Sequence, residues 1–187
     1  MLHCARGPSG IEVEGEGCLL RVRLFVNGSN SKEDKVSNGL QVKVKFLDPL
    51  WRQEPPGYAT SSSVGLDLKA CLDRDCIWIQ PGQRMAMGTG LALEIEEPNV
   101  AGFVFSRSGL GTKQGLVVSQ GVGVIDPDYR GEVIVSLLNT SQRSRPVDRG
   151  QHIAQLVFMP AYQAELLPVE ELGETGRGSG GLGHSKD

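Results

Sequence analysis

Three segments of this chain set ionic and hydroxyl side chains among glycines in ways that suit phosphate chemistry. Ser106-Arg107-Ser108-Gly109-Leu110-Gly111 joins a guanidinium to two hydroxyls and two glycines. Arg meets phosphate oxygens with a two-pronged fork, Ser adds a donor, and Gly lets backbone N–H groups come close to an anion. The spacing is not that of a Walker A loop, and taken alone it is equally an ordinary glycine-rich turn. Gly121-Val122-Gly123-Val124-Ile125-Asp126-Pro127-Asp128-Tyr129-Arg130-Gly131 puts two carboxylates around a proline with an aromatic just after. A carboxylate beside bound phosphate could take a proton from water, and Tyr129 offers a face for a sugar or base. The same run is also good hairpin-turn chemistry. The third segment, Arg177-Gly178-Ser179-Gly180-Gly181-Leu182-Gly183-His184-Ser185, suits either a phosphate cradle or a mobile linker.

Two further segments are weaker. Asp67 sits in the apolar run Val64-Gly65-Leu66-Asp67-Leu68. A carboxylate there is costly to bury unpaired, so it caps a turn, pairs with an arginine, or faces the hydration shell of a metal. Gln155, in Gly150-Gln151-His152-Ile153-Ala154-Gln155-Leu156, reads by itself as a solvated strand residue. No Ser or Cys triad is evident. His184 lies in a polar tail, where a histidine is more often solvated than catalytic.

Composition narrows the field. The chain has 187 residues and a formal net charge of −3, with no long run of Lys or Arg. A duplex-binding protein carries a basic face, so a nucleic-acid polymer is not the expected partner, while a single nucleotide needs only a few local cations. The four cysteines, Cys4, Cys18, Cys71 and Cys76, form no C-x-x-C pair, and the three histidines are scattered. That pattern predicts reduced thiols rather than a zinc site. No apolar run reaches the ~20 residues that span a bilayer. Met1 to Gly10 has no apolar core of a secretory signal, so a cytoplasmic, membrane-free protein is expected.

The elements that must position these residues read as β. From Gln41 onward, Val42, Val44 and Phe46 alternate with lysines in a half-buried strand. Leu47-Asp48-Pro49 ends it. Further strands are expected at Gly65–Ala70, Cys76–Ile79, Met85–Ile95 (with one Gly-Thr-Gly break), Ala101–Phe105, Glu132–Leu138, His152–Phe158 and Ala161–Leu167. Turn signals recur about every ten residues, as in a sandwich or jelly roll. At most one short helix is expected, near Gly109–Gln114. Residues 1–40 read as an appended arm with one strand between Leu19 and Val26. Residues 41–172 read as the β domain, and residues 173–187, with six glycines, as a flexible tail.

In sequence order, these segments resemble the five motifs of the dUTPase family. Ala59-Thr60-Ser61-Ser62-Ser63-Val64-Gly65-Leu66-Asp67-Leu68 is similar to the first, and Arg107-Ser108-Gly109-Leu110 to the second. Gly123-Val124-Ile125-Asp126-Pro127-Asp128-Tyr129-Arg130-Gly131 is similar to the third, Ile153-Ala154-Gln155-Leu156 to the fourth, and Arg177-Gly178-Ser179-Gly180-Gly181-Leu182-Gly183 to the fifth. The match runs from Gln41 to Ser185. Any one motif is weak; five in order outweigh the bland reading of each. Gly183-His184-Ser185 and Leu66-Asp67-Leu68-Lys69-Ala70-Cys71 resemble the enteric-bacterial branch.

The resemblance implies an all-β β-clip, a distorted jelly roll, assembled as a homotrimer with shared sites. It implies Mg²⁺-dependent cleavage of dUTP to dUMP and pyrophosphate, which lowers dUTP and supplies dUMP for dTMP synthesis. Asp126 would activate the attacking water, and Tyr129 would lie under the deoxyribose. The backbone through Gly123, Val124 and Ile125, with Ile134 on the return strand and Gln120 nearby, would read the uracil. Arg107, Ser108, Gly109 and Gln155 would hold the phosphates, and Arg177, His184 and Ser185 the γ end. The tail would close as a lid. Mg²⁺ would ride on the triphosphate, its waters facing Asp67.

The chain departs from the family pattern at several points. Leu182 stands where the family has an aromatic over the base. Gln151 and His152 replace an acidic–basic pair, Ser106 replaces a proline, and Lys186 replaces a glycine. Two rivals remain at this stage. A dCTP deaminase of the same fold carries a different segment after the paired serines and arginine. A catalytically weakened dUTP-sensing module would not need Asp126 and Tyr129.

Overall fold

The computed structural model describes residues 11–14, 21–24 and 39–181. It contains β1 (Ile11–Glu14), β2 (Arg21–Leu24), β3 (Val42–Phe46), α1 (Leu50–Gln53), β4 (Leu66–Lys69), β5 (Cys76–Ile79) and β6 (Arg84–Ile95). Then follow β7 (Val100–Ser106), α2 (Ser108–Gln114), β8 (Leu116–Val118), β9 (Gly123–Ile125), β10 (Glu132–Asn139), β11 (Arg145–Asp148) and β12 (His152–Pro160). Two four-stranded antiparallel sheets carry the fold. One has the order β3-β6-β10-β8, the other β4-β12-β7-β9, and β11-β5 forms a small third sheet. This is the all-β jelly-roll-like architecture expected from the short alternating strands.

The core lies between the sheets because each strand buries alternate side chains. β10 shows it plainly: Val133, Val135 and Leu137 are buried, while Ile134 points outward and is 47% exposed. Leu68, Leu91, Val104, Ile153 and Leu156 complete the same cluster. Each such side chain contributes about 1.5–3 kcal/mol by leaving water.

Several boundaries differ from the sequence expectation, each for a local reason. The Gly-Thr-Gly stretch does not break β6; it is a bulge within it. Gly90 has φ +67, and a Cβ there would come within 2.6 Å of Asp48 Cβ and 2.8 Å of Cys71 Sγ. The freed Gly90 N–H donates to Glu132 Oε1 at 2.7 Å. Two helices form rather than one. The extra single turn, α1, starts where Asp48 Oδ1 accepts the Leu50 N–H at 2.9 Å. It buries Trp51, whose indole N–H donates to the Thr89 carbonyl, and Lys69 Nζ lies 4.8 Å from the ring centroid.

Ala161–Leu167, expected as a strand, is not one. After the Ala161 N–H donates to Asn99 O, the segment pairs with no strand among the described residues. Tyr162, Leu166, Leu167, Val169 and Leu172 are all exposed, Leu172 by 88%. Alternation in sequence reports what a segment could bury, and among the described residues nothing covers this one.

Within the arm, β2 falls inside the expected Leu19–Val26 stretch and pairs with β1. The β1–β2 pair belongs to neither four-stranded sheet. A chain starting at Gly39 is therefore expected to fold with an unchanged Tm and unchanged turnover. Thermal melts and steady-state kinetics check this, and an insoluble or inactive product would make the arm part of the fold.

Candidate active site

Asp67 is the hub of the polar residues on the second large sheet. It lies on β4, directly opposite Gln155 on β12. Its Oδ1 accepts from Arg107 Nε at 3.1 Å and from Gln155 Nε2 at 3.2 Å. Its Oδ2 accepts from Arg107 Nη2 at 3.4 Å and lies 3.2 Å from His152 Nδ1. Of the three options the sequence left open, the observed one is pairing with arginine. Gly65 has no side chain because Gln155 packs there: an added Cβ would sit 3.2 Å from Gln155 Cδ.

Arg107 stands at the junction of β7 and α2 with extended backbone, at φ −79 and ψ 130. Its Nη1 donates to the His152 carbonyl at 3.2 Å. A guanidinium has five N–H groups. Three are spent on Asp67 and His152, which leaves one hydrogen on each Nη. Arg107 is thus held by Asp67 and the His152 carbonyl and keeps one N–H on each Nη.

Arg107 borders a cleft of about 340 Å³ lined also by Ser108, Gly109, Lys113, His152 and Gln155, among others. A Cβ on Gly109 would meet nothing within 4 Å, so this glycine borders open space. The cleft suits a multiply charged anion: it offers cations, a hydroxyl and an amide against one carboxylate already neutralised by Arg107. Ser106, unexpected beside the family pattern, has a structural use: its Oγ accepts the Val118 N–H at 2.8 Å and ties the end of β7 to β8. α2 stops at Gly115, whose φ of +71 admits the left-handed cap, and a Cβ there would strike Ser141 N at 2.9 Å.

The second cluster is the turn that carries the chain from β9, at the edge of one large sheet, to β10 in the other. Asp126 is exposed at the end of β9, and its carbonyl accepts the Tyr129 N–H at 3.1 Å in a tight turn. Among the described residues its carboxylate has no hydrogen-bond partner. Tyr129 Oη donates to the Glu132 carbonyl at 3.0 Å, which lays the ring over Gly131. A Cβ on Gly131 would fall 2.6 Å from Tyr129 Cζ, so only glycine allows this ring position. Gln120 before β9, Val124 on it and Ile134 on β10 are exposed as well.

The two clusters do not meet within one chain. β9 runs antiparallel to β7 with Ile125 opposite Gly102. Asp126 therefore lies level with the start of β7, while Arg107 follows its end. Six residues at about 3.3 Å each separate them by roughly 20 Å. Arg177 is exposed; its Nε donates to Gly180 O at 2.8 Å, and its carbonyl accepts the Gly180 N–H at 3.1 Å. Leu182, His184 and Ser185 lie outside the described residues.

Sequence reading passed over Lys113 and His152, which line the cleft; the lysine one α2 turn beyond Gly109 was the signal for the first. Cys71 is not a nucleophile in waiting: burial, then the neighbouring Asp48, pushes its thiol up to about 11. Among the described residues no helix is long and apolar enough to cross a membrane.

Comparison with known proteins identifies the family. The dUTPase family profile matches residues 53–186. The chain is 49% identical over 148 residues to the deoxyuridine 5'-triphosphate nucleotidohydrolase of Acinetobacter baumannii, covering 78% of this chain and 98% of that protein. It is 49% identical over 147 residues to the enzyme of the same name from Klebsiella pneumoniae, covering 78% and 96%. The solved structure of a mutant dUTPase from phage 80alpha superposes with a TM-score of 0.68 at 25% identity, covering 80% of this chain and 100% of that one. With five motifs in order, a jelly-roll-like fold and a matched profile over most of its length, this chain belongs to the dUTPase family.

Proposed function

We propose that this chain hydrolyses dUTP to dUMP and pyrophosphate at sites completed by neighbouring copies in a homotrimer. The observation that carries the reading is the separation of Asp126 from Arg107 along β7. A base roughly 20 Å from the phosphate cleft cannot serve it within one chain, since proton transfer needs hydrogen-bond reach. A symmetric assembly that sets the β9–β10 turn of one copy against the cleft of the next brings both together. The exposed apolar strap at Tyr162–Leu172 supports this, because that much uncovered surface marks an interface. The strap also leads the glycine-rich tail away from its own core and toward another copy.

In the assembled site the water attacks the α-phosphorus, Asp126 takes its proton, and the bond to the bridging oxygen breaks to release pyrophosphate. Arg107, Ser108, Gly109 and Gln155 hold the phosphates, and Arg177, His184 and Ser185 close on the γ end with the tail as lid. The backbone at Gly123, Val124 and Ile125, with Gln120 and Ile134, reads the uracil, and Leu182 covers it. Tyr129, pinned over Gly131, lies under the deoxyribose and leaves no room for a 2′-hydroxyl.

Mg²⁺ fits as a companion of the substrate. Asp67 is a lone carboxylate with three donors already bonded, which suits one contact to a metal-borne water rather than a direct cage. Bound there, the ion would supply charge neutralisation on the triphosphate. The expected compartment is the cytoplasm.

The experiment has two arms. Purified protein with Mg²⁺ should release pyrophosphate from dUTP and no ammonia from dCTP; the reverse would make it a deaminase. Asp126→Asn and Arg107→Ala chains, each nearly inactive, should regain activity when unfolded together and refolded. At equal mixing, about a quarter of sites between copies combine an intact Asp126 with an intact Arg107, so roughly a quarter of wild-type activity returns. No recovery in mixed oligomers verified by mass would sink the shared site.

A further inference from the structure

We propose that His152 is a positioning residue for the phosphate cleft: its imidazole steadies Asp67, and Asp67 in turn aims Arg107. The inference rests on the reading of the cleft as the triphosphate site.

The backbone itself is arranged for this contact. Along a regular strand, residues 152 and 155 would point to opposite faces, because side chains alternate. β12 carries a register shift between His152 and Ala154: Gln155 pairs with Asp67 and Ala154 with Leu68, yet His152 pairs with Lys69. The one extra residue turns His152 to the face that holds Gln155. Bulges re-aim side chains in this way. Both residues therefore reach the same carboxylate, Gln155 at Oδ1 and His152 at Oδ2.

The division of labour follows. A carboxylate turns easily about its last torsion. Asp67 is fixed only if partners hold both oxygens, and Arg107 is aimed only if Asp67 is fixed. When the Gln155 amide turns to a bound phosphate, His152 is left as the one other side chain bracing Asp67 among the described residues. Its side chain is 35% exposed and borders the cleft, so it packs no core. Its backbone carbonyl holds Arg107 Nη1 whatever the side chain. Substitution at 152 thus isolates the imidazole's contribution.

The test uses the full-length protein with dUTP and Mg²⁺, comparing wild type, His152→Ala, His152→Asn, Arg107→Ala and the Arg107→Ala/His152→Ala double variant. Asn carries an N–H close to the place of Nδ1. His152→Ala should lower kcat/KM by about tenfold to a hundredfold, chiefly through KM, at an unchanged Tm. His152→Asn should restore most of the loss. In the Arg107→Ala background, His152→Ala should add nothing, because the guanidinium it acts through is gone. Wild-type kinetics in His152→Ala would overturn the proposal, as would a full, additive loss in the double variant or an Asn variant no better than Ala. If wild type fails to cleave dUTP, or Arg107→Ala is fully active, the reading of the cleft has failed instead.

Discussion

Asp126→Asn should lower kcat for dUTP by about 10²–10⁴-fold, or roughly 3–5 kcal/mol of transition-state stabilisation. Asn keeps the size and hydrogen-bonding of the side chain but cannot take a proton at neutral pH. The position is exposed, and its turn is held by backbone, through the Tyr129 N–H on the Asp126 carbonyl. The fold and oligomer should therefore be untouched, and KM and the Kd for a non-hydrolysable dUTP analogue should change little. Stopped-flow or steady-state pyrophosphate release with calorimetric binding separates the two quantities. Full turnover in the mutant would remove Asp126 from the chemistry and leave Asp128 as the next carboxylate to examine.

Arg107→Ala should cost as much in kcat/KM, with a different signature. Arg107 lines the cleft and has two N–H groups left to donate to a bound phosphate, and a hydrogen bond to a charged group contributes about 1.5–3 kcal/mol. Losing both costs about 3–6 kcal/mol, or roughly 10²–10⁴-fold. The phosphates are held in the ground state and gain charge as pyrophosphate leaves, so KM should rise and kcat should fall together. Arg107→Lys should recover only part of this, since an ammonium keeps the charge but cannot reproduce a fork fixed by Asp67 and the His152 carbonyl. Tm should drop slightly in Arg107→Ala, because half-buried Asp67 loses its main counter-charge. A lysine variant with wild-type KM would mean that Arg107 acts as a plain point charge.

Much of this protein was legible in its residues alone. Strand alternation located β3, β5, β10 and the body of β12, because one face of each strand meets the core and the other meets water. The motif order located Asp67, Arg107, Gln155, Asp126 and Tyr129, because phosphate binding and hairpin turns restrict which residue types can stand in sequence. Serine in place of proline at 106 and Gln151-His152 in place of charged residues were visible as departures, but their use was not.

Tertiary structure decided the rest. Whether Asp67 paired with an arginine depended on bringing residues forty positions apart to β4 and to the end of β7, on either side of β12, which no local pattern encodes. The Gly90 bulge looked like a break, since a glycine's freedom reads the same whether a strand ends or bends. Ala161–Leu167 read as a strand, yet no strand among the described residues lies beside it. The contact of His152 with Asp67 was hidden in sequence: its spacing of three from Gln155 points it away from Asp67 until an extra residue in the ladder turns it round. The distance from Asp126 to Arg107 was equally hidden. Sequence determines which residues can do the chemistry, because reactivity is a property of side chains. Which of them share a site is set by strand register and by the faces left uncovered, and those are fixed only when the whole chain packs.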